Sequence, residues 1–159
     1  MTAARSLDEV SVFNNRLTFL IPHEWIEVES GDDGTYQYQV PDARSGWFRA
    51  PLITTKGVAK PAERLAQVFR GYDDVSKDAT GNLIRRSEKD TVQDGENLHI
   101  YYWFVGGCVT PDIVCEAVFS YTVLSNLVEN ADTLSEVNLI GRLVSDARFN
   151  AIEDATEAQ

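Results

Sequence analysis

The feature that most constrains the fold is a long apolar stretch, Tyr101 to Val123, which a single turn signal divides into two halves. The stretch reads YYWFVGGCVTPDIVCEAVFSYTV, and its dipeptide Pro111-Asp112 is typical of a tight turn. Aromatic and β-branched residues dominate both halves, as they do in strands. The stretch therefore predicts a long antiparallel hairpin.

A turn centred between Pro111 and Asp112 sets the register of this hairpin. The pairs that it predicts on one face are Cys108 with Cys115, Gly106 with Ala117, Phe104 with Phe119, and Tyr102 with Tyr121. This face, which also receives Ile100 and Val123, is interpreted as the core face, because a slip by one residue brings large apolar groups opposite a more polar set.

The opposite face of the hairpin carries His99, Tyr101, Trp103 and Val105 on its first strand. Two interpretations of this face remain open. In the first, a helix or the N-terminal hairpin covers it, which is favoured because exposed apolar patches on soluble proteins are small. In the second, the face is partly open and presents Tyr101 and Trp103 as anchors for a partner.

The two cysteines, Cys108 and Cys115, are predicted to be reduced residues that pack in the core, because unpaired cysteine is among the most buried residue types. A cross-strand disulfide is the geometric alternative. Their spacing does not match a zinc site, and His23 and His99 are the only histidines, so neither a metal nor a cofactor is expected. Gly106-Gly107 predicts a bulge or a close approach of another backbone.

The N-terminal half begins with two predicted strands. Arg16 to Ile21 alternates apolar and polar residues, and Trp25 is expected to fold back on the apolar side of this strand. A glycine-aspartate turn at residues 31–34 leads into a second strand, Thr35 to Val40. These two strands are predicted to form a hairpin.

A third strand and a helix follow. Trp47 to Thr55 indicates the strand, in which Pro51 argues for an edge position or a bulge. Pro61 to Tyr72 is predicted to be a helix, with proline in its first turn. The apolar residues that recur at helical spacing, and that are expected to face a sheet, are Leu65, Val68, Phe69 and Tyr72.

The remaining elements are a polar strand and a second helix. Leu83 to Val92 is predicted to be a half-exposed strand, and Asp94-Gly95 a hairpin turn. Asp132 or Thr133 is the expected cap of the second helix, with Glu136 as its capping-box partner. The apolar stripe of this helix consists of Leu134, Val137, Ile140, Leu143 and Val144.

Length and charge limit the class of protein. The 159 residues suit one domain, predicted over residues 13–150, after an N-terminal arm at 1–12 and before an acidic flexible tail at 151–159. The formal net charge of −11 disfavours nucleic acid and anionic membranes as partners. No apolar run is long enough for a membrane span or a signal peptide, so we expect a cytoplasmic location. The protein is expected to be a monomer or a homodimer.

Catalytic signatures are missing from the sequence. Neither His23 nor His99 accompanies a GxSxG or another nucleophile signature, and the glycines match neither GxGxxG nor a P-loop. The acidic groups lack EF-hand spacing. We therefore expect a protein that is not an enzyme.

The order of the elements resembles the PsbP/Mog1/DcrB-like superfamily. The resemblance lies in LTFLIPHEW (Leu17 to Trp25), in the strands that follow it, in the helix from Pro61, in the hairpin through Cys108 and Cys115, and in a terminal helix that ends in SDARF. It covers Phe13 to Phe149. It implies an α+β fold of α/β/α layers, with two main helices and a curved, mostly antiparallel sheet of about six strands.

Members of that superfamily bind partners and do not catalyse reactions. They include a photosystem accessory protein, a Ran-binding import factor, envelope lipoproteins and cytosolic chaperones of secretion effectors. The chain shows no lipobox, which favours the cytosolic, DcrB-related bacterial branch.

Two hypotheses for function follow. The first is a protein-binding module, such as a chaperone, adaptor or immunity-type protein, that holds an apolar segment of another protein through Tyr101 and Trp103 or through a rim with Trp25 and Trp47. The second is a small-ligand or metal-binding domain with a pocket between sheet and helix.

Overall fold

A computed structural model describes residues 6–13, 15–28, 36–41, 46–72, 74–78 and 81–151. Within these ranges the chain forms eleven strands and two α-helices. The strands are β1 (Leu7–Val12), β2 (Leu17–Pro22), β3 (Ile26–Val28), β4 (Tyr36–Val40), β5 (Gly46–Ala50), β6 (Leu52–Thr55), β7 (Ser76–Lys77), β8 (Leu83–Gln93), β9 (Glu96–Thr110), β10 (Ile113–Leu124) and β11 (Arg148–Phe149). The helices are α1 (Pro61–Val68) and α2 (Ala131–Ser145).

The strands form one large and one small sheet. The large sheet has the order β3-β4-β5-β10-β9-β8-β7, with β6 also paired to β10, and the small sheet has the order β1-β2-β11. Every strand pair is antiparallel. The predicted α+β class with two helices is confirmed, whereas the predicted number of six strands is wrong because several short strands were not recognised.

The central hairpin of β9 and β10 turns where the sequence predicts it, but its register differs by one residue. Thr110 lies opposite Ile113, which brackets the turn at Pro111 and Asp112. The register then shifts, so that Cys108 faces Val114 and Val109 has no opposite residue. From this β-bulge onward every pair is displaced by one residue from the prediction, which exchanges the two faces of β9.

The exchange places different aromatic residues in the core. Tyr101 lies opposite Tyr121 and Trp103 opposite Phe119, and these four side chains are at most 4% exposed. The core face predicted for β10 is confirmed, since Cys115, Ala117, Phe119, Tyr121 and Val123 are all buried. The core face predicted for β9 is wrong. Tyr102 and Phe104, which were predicted to point into the core, are only half-buried and stack on each other on the opposite side of the sheet.

The two helices pack on opposite faces of the large sheet. Leu65 and Phe69 of the α1 segment contact Gly106, whereas Gly141 of α2 lies beside Trp103. The small sheet shares the α2 side, where the Phe19 and Phe119 ring centroids are 5.4 Å apart. None of the described helices is long and apolar enough to span a membrane.

Both helices differ from their predicted bounds. α1 ends at Val68 rather than Tyr72, and its apolar stripe is narrower than predicted, since Val68 and Tyr72 are exposed. The cap of α2 is Asn130, whose Oδ1 accepts a hydrogen bond from the Asp132 backbone N–H at 2.9 Å. Glu136, the predicted capping-box partner, is fully buried, and the predicted stripe residue Leu134 is exposed.

The predicted N-terminal arm contributes a strand to the fold. β1 pairs with β2 over six residues, and β11 pairs with the other edge of β2. Because β2 is buried on both faces, its backbone groups need a partner on each side. Residues 7–12 of the predicted arm thus form an edge strand of the small sheet, while residues 152–159 of the predicted tail lie outside the described residues.

The predicted pairing of the first two strands is also wrong. β2 belongs to the small sheet, and β4 pairs instead with β5 and with β3, a strand of only three residues. The predicted turn at 31–34 lies outside the described residues. Pro51 separates β5 from β6, and its carbonyl accepts a hydrogen bond from Val118 N–H at 3.1 Å. Among the described residues β6 pairs only with β10, so Pro51 stands at an interruption next to an edge strand, as predicted.

Replacing Gly107 with alanine tests the close packing on β9. A Cβ atom there would clash with the Asn82 side chain and lie 2.8 Å from Phe149 Cδ2. We expect the free energy of unfolding, measured by urea denaturation, to fall by about 1–3 kcal/mol, the usual cost of overpacking.

Gly141→Ala is the matched control. A Cβ atom at Gly141 would lie at an ordinary 3.6 Å from Trp103 Nε1, and alanine favours the helix there. This variant is expected to be at least as stable as the native protein. Equal stability of the two variants would contradict the packing described at Gly107.

Candidate functional site

One face of the large sheet is left largely uncovered by the described helices. On this face, Trp47, Thr122 and Ile100 form a row across β5, β10 and β9, and Arg49, Ser120 and Tyr102 form the next row. α1 reaches the same face only near Gly106, further along the hairpin. Trp47 is 43% exposed and Arg49 is exposed, so these rows form an accessible surface, which we call the open face.

A cleft of about 500 Å³ lies at the Trp47 end of the open face. Its walls come from β4 and β5 on one side and from the turn of the β8–β9 hairpin on the other. The lining consists of Gln37, Gln39, Gly46, Trp47, Arg49, Gln93, Asp94, Glu96, Leu98, Thr122, Val123 and Leu124. Asp94 and Gly95 both have positive φ, which confirms the predicted tight turn at the tip of this hairpin.

Three of the four aromatic residues predicted to bind a partner lie in the core. Tyr101 is 4% exposed, Trp103 is 3% exposed and Trp25 is 6% exposed. α2 covers the face of Tyr101 and Trp103, as the favoured interpretation of that face expects, and the Trp25 ring packs 5.0 Å from the Phe48 ring. Only Trp47 of this set is accessible, and it points away from the core that holds the others.

His99 is held between two carboxylates, an arrangement that the sequence interpretation missed. Its Nδ1 lies 2.7 Å from Asp90 Oδ1 and its Nε2 lies 2.8 Å from Glu88 Oε1. Because carboxylates only accept hydrogen bonds, both bonds form only when the ring carries two protons. The sequence shows the two carboxylates as Glu88 and Asp90, one residue apart on the neighbouring strand. Only the strand register shows that they lie beside His99.

The pKa of His99 reflects this environment. Burial alone lowers the pKa, but the hydrogen bonds and charges of Asp90 and Glu88 outweigh it and raise the pKa above the ordinary value for histidine. The ring also packs edge-on against Tyr101, with 4.7 Å between centroids. His99 therefore links β8 to the core side of β9, through two charge-assisted hydrogen bonds when its ring is protonated.

The two cysteines lie on opposite faces of the hairpin. Cys115 is fully buried, whereas Cys108 is exposed, so the prediction of two core residues is wrong for Cys108. The bulge at Val109 removes the predicted opposition, and both thiols are free. Burial raises the pKa of each thiol, which disfavours the reactive thiolate.

The predicted pocket between sheet and helix is filled by side chains. Phe19, Phe48 and Phe119 pack there against Ile140 and Val144, and the remaining space is about 10 Å³, room for one water at most. Among the described residues, no group of three or more His, Cys, Asp or Glu is arranged to hold a metal ion. The space between the sheet and α2 is therefore too small for a ligand.

Comparison with solved structures identifies the type of fold. The chain is similar to a protein of Bacteroides thetaiotaomicron VPI-5482 (TM-score 0.56, 19% identity), of which it spans about half, with 90% of this chain and 48% of that one covered. It is also similar to LpqN, involved in cell envelope biogenesis of Mycobacterium tuberculosis, with a TM-score of 0.55 and 12% identity over 92% of this chain and 91% of LpqN. A mutant of protein Mog1 matches with a TM-score of 0.51 and 11% identity, over 91% of this chain and 96% of that one.

These similarities show a Mog1/PsbP-like fold, as the resemblance implied. Identities of 11–19% establish the fold alone. No protein-family model and no curated protein matches the chain.

The stability of the protein should depend on pH through His99. Since folding raises the pKa of His99, its contribution to the free energy of unfolding is present below the unfolded-state pKa of about 6.5 and is lost as pH rises through the folded-state pKa. We expect the stability difference between the native protein and His99→Asn, measured by urea denaturation, to be larger at pH 6 than at pH 9.

His23→Asn is the control for this measurement. His23 also contacts a carboxylate, with Nδ1 2.9 Å from Asp8 Oδ2, but its side chain is 73% exposed. Such exposed pairs contribute little to stability. A His99→Asn difference that does not change with pH would show that the double contact is absent in solution.

The thiols should differ in accessibility. We expect a thiol reagent such as DTNB to modify one cysteine per native chain, and Cys108→Ser to abolish that reaction, because Cys115 is buried. The second thiol should react only after unfolding in denaturant. Two equally fast reactions, or none because of a disulfide, would contradict the register.

Proposed function

We propose that this chain is a non-catalytic protein-binding module, and that a partner protein docks on the open face. The observation that supports this proposal is the composition of the accessible rows. Trp47, Arg49 and Tyr102 belong to the residue types that contribute most of the binding energy at protein interfaces. They surround a central strand rather than being scattered over the surface.

The open face has the shape of a shallow trough along β10. Its floor consists of the small residues Ser120 and Thr122, while Trp47 on β5 and Tyr102 on β9 rise on either side. The flanking strands are about 10 Å apart, twice the spacing of neighbouring strands. This width accommodates one apolar segment of a partner.

A binding role fits the chemistry of this surface better than catalysis. Neither histidine lies in the rows of the open face, and both ring nitrogens of His99 already contact carboxylates on the other side of the sheet. Catalysis by a nucleophile needs an organised base beside it. By analogy of fold and of sequence order, we propose a chaperone, adaptor or immunity-type role in a cytoplasmic, DcrB-related bacterial branch.

The proposal is tested by capture with matched surface variants. The native protein, Trp47→Ala, Tyr102→Ala and the control Leu134→Ala are used as bait in a soluble extract of the organism that encodes the chain. Leu134 is 48% exposed on α2, away from the open face. We expect one dominant protein to be lost in the first two variants and kept in the control, and the purified pair to bind at least about tenfold more weakly after either substitution.

Trp103→Ala would not serve as a test of this surface. Trp103 is a core residue, and truncating a buried tryptophan costs about 3–5 kcal/mol of stability, so lost capture would report unfolding. If Trp47→Ala and Tyr102→Ala both bind a captured partner as tightly as the native protein does, the open face is not the interface.

A further inference from the structure

The cleft at the end of the open face has a lining unlike the trough beside it. Three planar amides, Gln37, Gln39 and Gln93, line this cleft together with the partly exposed ring of Trp47. The hydroxyl of Thr122 and the guanidinium of Arg49 add further hydrogen-bonding groups on the sheet, and Asp94 and Glu96 supply carboxylate acceptors on the hairpin rim. The cleft volume of about 500 Å³ lies within the range of small-ligand pockets, about 300–1,000 Å³.

Several ligand classes do not suit this lining. A phosphate or nucleotide needs an excess of cations, but Arg49 is outnumbered by Asp94 and Glu96. A lipid chain needs predominantly apolar walls, and most residues here are polar. A divalent cation is not favoured, because the cleft has only two carboxylates and no group of three or more His, Cys, Asp or Glu among the described residues is arranged to hold a metal ion.

A sugar ring matches the groups that are present. An amide offers an acceptor oxygen and two donor hydrogens side by side, and a hydroxyl is both donor and acceptor, so one glutamine pairs with two adjacent hydroxyls of a sugar. The C–H face of a pyranose is apolar and flat, which suits contact with the indole of Trp47. We propose that the cleft is a binding site for a neutral saccharide, with Trp47 as the stacking platform and Gln37 and Gln39 as the principal hydrogen-bonding residues.

This inference goes beyond the proposed protein partner and does not require it. The saccharide site uses the cleft between β4, β5 and the tip of the β8–β9 hairpin, whereas the protein surface extends along β10 to Tyr102. The two share Trp47, Arg49 and Thr122 but differ at Gln39 and Tyr102. Substitutions at these two positions therefore separate the failure of one proposal from the failure of the other.

Trp47 provides the signal for the experiment. Trp25 and Trp103 are buried in the core, so a saccharide-induced change in tryptophan emission, or protection from acrylamide quenching, reports on Trp47. The probes are maltotriose, cellotriose, mannotriose and chitotriose at millimolar concentration. Inorganic phosphate and the tripeptide Gly-Ser-Gly are the comparison ligands.

We expect at least one trisaccharide to change the emission saturably and to protect Trp47 from quenching. Gln39→Leu, which keeps the fluorophore, should raise the Kd at least about tenfold, whereas Tyr102→Ala should leave the Kd unchanged. Trp47→Phe should abolish the signal. Calorimetry on the same samples detects binding independently of fluorescence.

Two results would overturn the inference. One is the absence of any response to all four trisaccharides, by fluorescence and by calorimetry, in a folded native protein. The other is a response to phosphate or to the tripeptide that exceeds the response to every saccharide. Neither result bears on protein capture through Tyr102, which stands or falls by its own variants.

Discussion

The pairing of β9 with β10, and the single bulge at Val109 within it, determine what each side of this protein presents. These two strands lie at the middle of the large sheet, and every face assignment on the neighbouring strands follows from their register. With the bulge, Trp103 joins Phe119 in the core and Tyr102 turns to the open face. Without it, the two aromatic sets would exchange places.

The glycine pair beside the bulge lets both sides of the sheet be covered at that end. On one side Gly106 makes room for Leu65 and Phe69, and on the other Gly107 makes room for Asn82 and Phe149. Consecutive residues of a strand point to opposite faces, so each glycine leaves space for the side chains that pack on its own face. The packing at Gly106 thus holds α1 at the end of the sheet face that lies near the turn. The rows of the open face that contain Trp47 and Tyr102 remain accessible.

The sequence carried enough information for the fold type and the main hairpin, but not for its register. The turn at Pro111-Asp112 and the inward side chains of β10 followed from local residue types. The position of the bulge did not, because the sequence pointed to Gly106-Gly107, whereas the residue without an opposite partner is Val109, which looks like any other strand valine. The same limit affects the site: Trp47 was identified as a candidate, whereas Tyr102, Arg49 and the Glu88–His99–Asp90 contacts depend on strand pairing that no local pattern specifies.

The register of β9 and β10 sorts the aromatic residues between the core and the open face, and cross-strand backbone NOEs measure this register. We expect NOEs that pair Tyr101 with Tyr121 and Trp103 with Phe119. NOEs that pair Tyr102 with Tyr121 and Phe104 with Phe119 would contradict it. That result would place Tyr102 in the core and remove it from the proposed binding surface.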